Sequence, residues 1–425
     1  MKKTSFNVLI LFFVILMAIP ISLPFQAMAA RQNAVMKQGR LERTAAQVAP
    51  NLTFALGLLQ EGKIGEGLEV LTNLYTSSAF VEKFERLITE KLLFRVSAIR
   101  FSRAIDRTII KSTYAFTTDS IIPADMTSGI YYDHKNDQLL YTPEPFNKQV
   151  KQMIDARIEN YAELIRNHSD QNFYLYNHET LKFSKYHPLV GLFTEADAGQ
   201  SLAYFEQNLP AGLTFEKFPL TSLEDHLNYY YRTDHHWKVN AMIRVYEEIH
   251  EMLSKNYPEI SPPLKFSKLI TFPDIKFLGH MARLTLYPIQ GDDFVVEQLT
   301  IPEHKVIWNG REIEDTGRQA YFEGNYSTVP YINHFNEFYG QVTDLIEYTF
   351  DNGSDRNLLI IGSSFRNSLD PLLASHYRKT YCVDLRYNTD FSLSAFLSEH
   401  QVDDIVIVGE NDVAFEEVEY WKINP

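Results

Sequence analysis

A chain of 425 residues, 45% hydrophobic and 22% charged, has enough apolar material for one large core plus an appendage, which excludes a disordered or fibrous protein. Its net charge of −14 repels phosphate backbones and argues against nucleic acid as a partner. The lone cysteine, Cys382, excludes an intrachain disulfide and a zinc site built on thiolates; its place in the apolar run Thr380–Val383 makes it a buried strand residue.

Lys2 and Lys3 precede an apolar run from Val8 to Ile19, then Pro20 and Ala27-Met28-Ala29. That order predicts a secretory signal peptide over residues 1–29, or an uncleaved N-terminal anchor if Ile21–Phe25 extends the run. Either places the remainder outside the cytoplasmic membrane, extracellular or in the cell envelope. Residues 30–115 read as a helical region, with Leu87, Leu92, Leu93, Val96 and Ile99 at helical spacing. Lys91, Arg95, Arg100, Arg103 and Arg107 form a basic stripe there, either a solvated face or a contact for an anionic lipid or polymer.

Ser128–Tyr141 reads as a hairpin and Phe146–Asn167 as a long helix, followed by a short strand at Asn172–Tyr176. A helix at Ser201–Asn208, a strand at Phe215–Phe218 and a helix at Val239–Lys255 come next. Residues 262–316 change character, with Pro263, Pro273, Pro288 and Pro302 and the alternating runs Phe294–Leu299 and Lys305–Trp308, and predict an antiparallel insertion. The C-terminal part alternates apolar strands (Leu358–Ile361, Tyr381–Leu385, Ile405–Val408) with helices at Phe365–Tyr377 and Ser392–His400. Continuous apolar strands alternating with helices predict a mostly parallel sheet covered on both faces, a three-layer α/β sandwich.

Two places carry groups capable of chemistry. Gly362-Ser363-Ser364 lies at the carboxyl end of a buried strand, where α/β sheets bind ligands, with Gly362 allowing a sharp turn into the next helix. There a serine is either a nucleophile or simply a helix N-cap. Arg232–Trp237 contains Asp234 and His236 two residues apart. On an extended segment they point the same way and can serve one serine as orienting acid and base, with His235 on the opposite side. A metal site or a purely structural Asp–His pair are the competing readings; without an H-x-x-x-H or H-E-x-x-H spacing, no metal and no cofactor are expected.

Asp234-His235-His236-Trp237 spells the signature of the DHHW family, and Tyr231-Arg232-Thr233 and Asn240-Ala241 fit that family's block. A second block, Leu358–Tyr377 with Val383–Tyr387, resembles it too. From about residue 125 to the C-terminus the chain is similar to the SGNH-hydrolase-like (flavodoxin-like) domains of exported alginate and cell-wall O-acetylation proteins, which implies such a domain over residues 116–425. The resemblance implies Asp234 as orienting acid, His236 as base and Ser364 as nucleophile, with Arg386 holding the oxyanion or substrate beside Ser363 and Tyr387. Ser363 stands where such proteins commonly carry Asp or Thr, so two serines sit side by side. The implied activity is acyl transfer to an envelope polysaccharide or ester hydrolysis, beside a membrane-bound acyltransferase partner. A non-catalytic polysaccharide-binding scaffold on the same fold, or a metal phosphoesterase, would use the same residues differently. The aromatic content suits either a Tyr- and Phe-rich core or a saccharide groove, for which Tyr229, Tyr230, Tyr231, Tyr339 and Tyr387 are candidates.

Overall fold

The computed structural model describes residues 95–114, 120–190, 199–314, 317–340, 344–416, 421, 423 and 424. The expected signal segment and the expected helices over 30–94 lie outside these residues. Among the described residues, no helix is long and apolar enough to cross a membrane. The chain divides into two compact units. One comprises Met1–Ala115 and Asp125–Ser128. Its described helix α1 (Arg95–Tyr114) carries Arg103, which pairs with Asp106 at 3.3 Å and Asp125 at 2.9 Å.

The other unit, Phe116–Ala124 and Gly129–Pro425, holds the sheets. It begins with β1 (Ile121–Pro123), β2 (Ile130–Asp133) and β3 (Gln138–Tyr141), a three-stranded antiparallel sheet containing the expected hairpin. There follow α2 (Lys148–Asn167), capped by the Asn147 side chain, then β4 (Asn172–His178), α3 (Gln200–Gln207), β5 (Leu213–Phe218), α4 (Leu223–Tyr229) and α5 (Val239–Ser254). Next come β6 (Lys268–Phe277), α6 (His280–Thr285), β7 (Asp292–Gln298), β8 (His304–Trp308), β9 (Arg311–Ile313), α7 (Gly317–Phe322) and α8 (His334–Tyr339). The last part runs β10 (Leu345–Phe350), β11 (Asn357–Gly362), a 3-10 turn (Ser364–Ser368), α9 (Asp370–Ala374), β12 (Lys379–Val383), α10 (Leu393–Glu399) and β13 (Asp404–Gly409).

Eight strands form one sheet in the order β5-β4-β13-β11-β12-β10-β8-β9. The first five are mutually parallel; β10, β8 and β9 extend the sheet antiparallel. The apolar runs of β11 and β13 feed two cores by alternation. Leu358, Ile360, Val406 and Val408 face the core shared with α5 and α9, whereas Leu359, Ile361, Ile405 and Ile407 face the core shared with α2, α3 and α10. Each of these eight side chains is fully buried, contributing roughly 2 kcal/mol of apolar transfer energy apiece.

Two expectations are revised and a third holds. Lys305–Trp308 does not join a separate insertion: β8 pairs with β10 in the main sheet, and only β6 and β7 form a detached antiparallel pair. The helix expected over Phe365–Tyr377 splits into the 3-10 turn and the short α9, since Pro371 cannot donate a backbone hydrogen bond and is tolerated only where a helix begins. Cys382 is, as expected, a buried residue of β12.

Candidate active site

The first half of the site is a loop between α4 and α5. Tyr230 and Trp237 form an isolated antiparallel bridge, and the chain between them turns tightly, with Tyr231 N–H donating to the His236 carbonyl at 3.1 Å. Asp234 and His236 therefore converge through a turn, not through the alternation of an extended strand. The turn also corrects the placement of His235. Its ring lies 4.1 Å from the His236 ring and its Nδ1 3.5 Å from Asp234 Oδ1, on the same side as its neighbours.

Asp234 is 1% exposed, and both its oxygens are occupied. Oδ1 accepts from the His236 backbone N–H at 2.9 Å and faces His236 Nδ1 at 2.5 Å, while Oδ2 accepts from the His280 backbone N–H. That last donor is delivered by a docked segment. The Thr233 hydroxyl accepts from Gly279 N–H at 3.0 Å, and the Thr233 carbonyl accepts from Met281 N–H at 3.1 Å. Gly279 is obligatory here, because a Cβ on it would lie 2.2 Å from Asp234 Cβ and Oδ2. Burial would raise the Asp234 carboxyl, but the imidazoles of His236 and His235 and the hydrogen bonds from His236 hold it well below the usual carboxylate range. It is a fixed negative charge.

The second half is the carboxyl end of β11. Ser363 occupies the cap position of the 3-10 turn, yet its side chain makes no capping hydrogen bond; Ser364 begins the turn. The glycine before them is needed for a reason other than a sharp turn: a Cβ on Gly362 would meet the Val408 carbonyl of β13 at 2.4 Å. Ser364 Oγ lies 2.8 Å from His236 Nε2, 128 residues away in the chain. With an acceptor carboxylate on Nδ1, the neutral ring carries its proton there and presents the Nε2 lone pair to the serine hydroxyl.

Trp237 joins the two halves. It is 1% exposed, its Nε1–H donates to Ser368 Oγ at 3.0 Å, and its ring packs edge-on against Phe365 at 5.0 Å. Phe335 of α8 stacks on His236 at 4.1 Å, and the buried His178 ring lies 4.0 Å from Phe365. Burial, reinforced by nearby His236, pushes His178 down to about 3, so it is neutral; both its ring nitrogens lack hydrogen-bond partners. The sequence reading gave no role to Trp237, Gly279, Phe335 or His178. Only the tryptophan of the Asp-His-His-Trp tetrapeptide offered a signal.

A cavity of about 200 Å³ lies behind Asp234, with His235, His280, His226, Lys182, Thr180 and Glu410 among its lining residues. Burial, with Asp412 nearby, raises the Glu410 carboxyl to about 7. Asp234, His235 and His236 each offer a ligand atom within 4.8 Å of the others, so this trio is the group that could hold a metal ion among the described residues.

No protein-family model matches the sequence, and no curated protein matches it. Solved structures do match. Bacillus cereus PatB1 carrying a sulfonyl adduct superposes with a TM-score of 0.53 at 15% identity, over 69% of this chain and 98% of that one. A DHHW family protein from Eubacterium siraeum gives a TM-score of 0.50 at 16% identity, over 69% and 94%. The chain shares their fold. The DHHW resemblance seen at Asp234–Trp237 thus has a structural counterpart.

In this DHHW-like fold the other residues singled out in the sequence fall as follows. Arg386 forks onto the Asp384 carboxylate, Nε to Oδ1 at 3.0 Å and Nη2 to Oδ2 at 2.6 Å, and lies over the Trp421 ring at 5.2 Å. Its guanidinium is committed to Asp384 rather than to the expected oxyanion site at Ser364, although its charge contributes to the field at His235. Tyr387 is 59% exposed beside it. Tyr230 and Tyr231 are core residues, 0% and 2% exposed, and cannot stack on a ligand; Tyr229 packs edge-on against Phe218. Tyr339 is half-buried and lines a cleft.

Proposed function

We propose that this chain is an exported serine O-acyltransferase or esterase, on a three-layer SGNH-hydrolase-like sandwich, that acylates an envelope polysaccharide. The observation that carries the reading is the single imidazole placed between a buried carboxylate and a serine hydroxyl, 2.5 Å from one and 2.8 Å from the other. Side chains at that spacing match what nucleophilic acyl transfer needs.

His236 Nε2 takes the proton of Ser364 as Oγ attacks the ester carbonyl, and Asp234 stabilises the imidazolium that forms. The Ser364 N–H at the start of the turn faces the developing oxyanion. Collapse expels the donor's alcohol or thiol, which receives the proton back from His236 and leaves an acyl-serine. A sugar hydroxyl, deprotonated by the same imidazole, then takes the acyl group; water in its place gives hydrolysis. Export and a membrane-bound acyltransferase supplying the donor belong to this proposal on the strength of the N-terminal sequence and the family resemblance.

Hydrolysis of p-nitrophenyl acetate by the purified protein, compared with Ser364→Ala and His236→Ala, tests it. Both variants lose the activity, and EDTA leaves it intact. Activity that survives both substitutions removes the serine mechanism, and activity lost to the chelator favours a metal on Asp234, His235 and His236.

A further inference from the structure

A second cleft, of about 320 Å³, lies over β8 and β10 on the same face of the sheet as α9. Its walls combine aromatic surface with polar atoms that have no partner. Trp308 and Tyr339 supply the accessible rings, and the buried Tyr348 lines the cleft too. Asn367, 3% exposed, and Asn336 line it as well, and the side-chain Oδ1 of each lacks a hydrogen-bond partner. Buried acceptors left unpaired cost about 1–3 kcal/mol each unless something donates to them. Rings for the C–H face of a sugar and acceptors for its hydroxyls are the complement of a pyranose.

The cleft is coupled to the candidate active site by position. Trp308 pairs with Ile346, Ile346 with Cys382, and Cys382 with Ile360, so Trp308 stands level with Ile360, two residues short of the carboxyl end of β11. Three interstrand spacings carry it about 14 Å along the rim. Asn367 is three residues beyond Ser364 in the same turn. The Phe335 ring stacks on His236 at 4.1 Å and lies 4.8 Å from Tyr339, giving triad and cleft one aromatic wall. Tyr339 is held by its hydroxyl to the buried Glu297 at 2.8 Å, and Arg318 pairs with that same carboxylate.

The charge is selective. Glu314 and Glu337 leave the cleft net negative, because the charges of Asp370 and Arg318 are matched by Arg366 and Glu297. Acidic sugars are repelled; neutral ones are not.

We propose that this cleft binds a sugar ring of a neutral glycan, several residues along the chain from the sugar acylated at Ser364. The assignment rests on acyl transfer at Ser364. Its test uses the Ser364→Ala protein, so that binding is read without turnover. Of the three tryptophans, Trp237 and Trp421 are 1% and 3% exposed, so fluorescence that acrylamide quenches readily comes from Trp308. A neutral tetramer, β-1,4-linked N-acetylglucosamine or cellotetraose, shields Trp308 from acrylamide, and tetragalacturonate does not. Asn336→Ala weakens the neutral tetramer about fivefold by calorimetry. Quenching unchanged by both neutral tetramers, or protection by tetragalacturonate, overturns the proposal. Protection in a protein whose wild type hydrolyses no ester would sink acyl transfer alone; ester hydrolysis without protection would sink the cleft alone.

Discussion

Gly279→Ala is the substitution that the geometry of the Asp234 carboxylate condemns most specifically. The added methyl would sit 2.2 Å from Asp234 Cβ and Oδ2 and 2.6 Å from Cγ, where ordinary contact begins near 3.4 Å. Neither partner can yield easily. Asp234 is held by His236 and the His280 N–H, and Gly279 is held by the Thr233 hydroxyl. Forcing them apart by about 1 Å is an overpacking defect of the kind that costs about 1–3 kcal/mol. The same displacement drags Asp234 away from His236 Nδ1, and misplacing a catalytic group by about 1 Å can cost on the order of 100-fold in rate. Urea denaturation and p-nitrophenyl acetate hydrolysis measure the two effects. The expected result is a variant that still folds, with a lowered midpoint and activity down by about two orders of magnitude. Full activity in Gly279→Ala would refute the claim that the 279–281 segment positions the acid.

Asp234→Asn, nearly isosteric, lowers kcat by about 10³–10⁴ because the amide favours the wrong imidazole tautomer; a loss under tenfold contradicts the role given to Asp234. Trp237→Phe keeps an aromatic ring but removes the hydrogen bond to Ser368, costing about 1 kcal/mol of stability and a measurable part of kcat; unchanged values for both would deny that Trp237 couples the two halves. His178 titrates at about 3 in the folded chain against an ordinary 6.5. Between those values the unfolded chain binds a proton that the folded chain refuses, so stability falls as pH drops through that window. His178→Phe removes the effect, and its stability relative to wild type should improve by about 2 kcal/mol between pH 7 and pH 5, read by denaturation at both.

Much of the fold was legible because its central strands are buried on both faces and so read as unbroken apolar runs, as at Leu358–Ile361 and Ile405–Val408. The outer strands were not. β10 (Leu345–Phe350) faces two environments, with Glu347 and Thr349 interrupting its apolar residues, and only its pairing with β12 and β8 defines it. Trp308 was assigned to an insertion for the same reason. At the site, residue types were readable but their meeting was not. Period-two reasoning paired Asp234 with His236 on a false premise, and the error surfaced at His235, which an extended strand would have sent to the far side. That Ser364 reaches His236 depends on Trp237 anchoring its loop to Ser368, a contact spanning 131 residues that no local pattern encodes.

The central claim is that His236 activates the hydroxyl of Ser364, and reaction with phenylmethylsulfonyl fluoride addresses it directly, since a sulfonyl group is captured by an activated serine. Peptide mass spectrometry of the treated protein should find one sulfonyl group, on Ser364, in the wild type and none in His236→Ala. A label on Ser363, or equal labelling of Ser364 with and without the imidazole, would contradict the account.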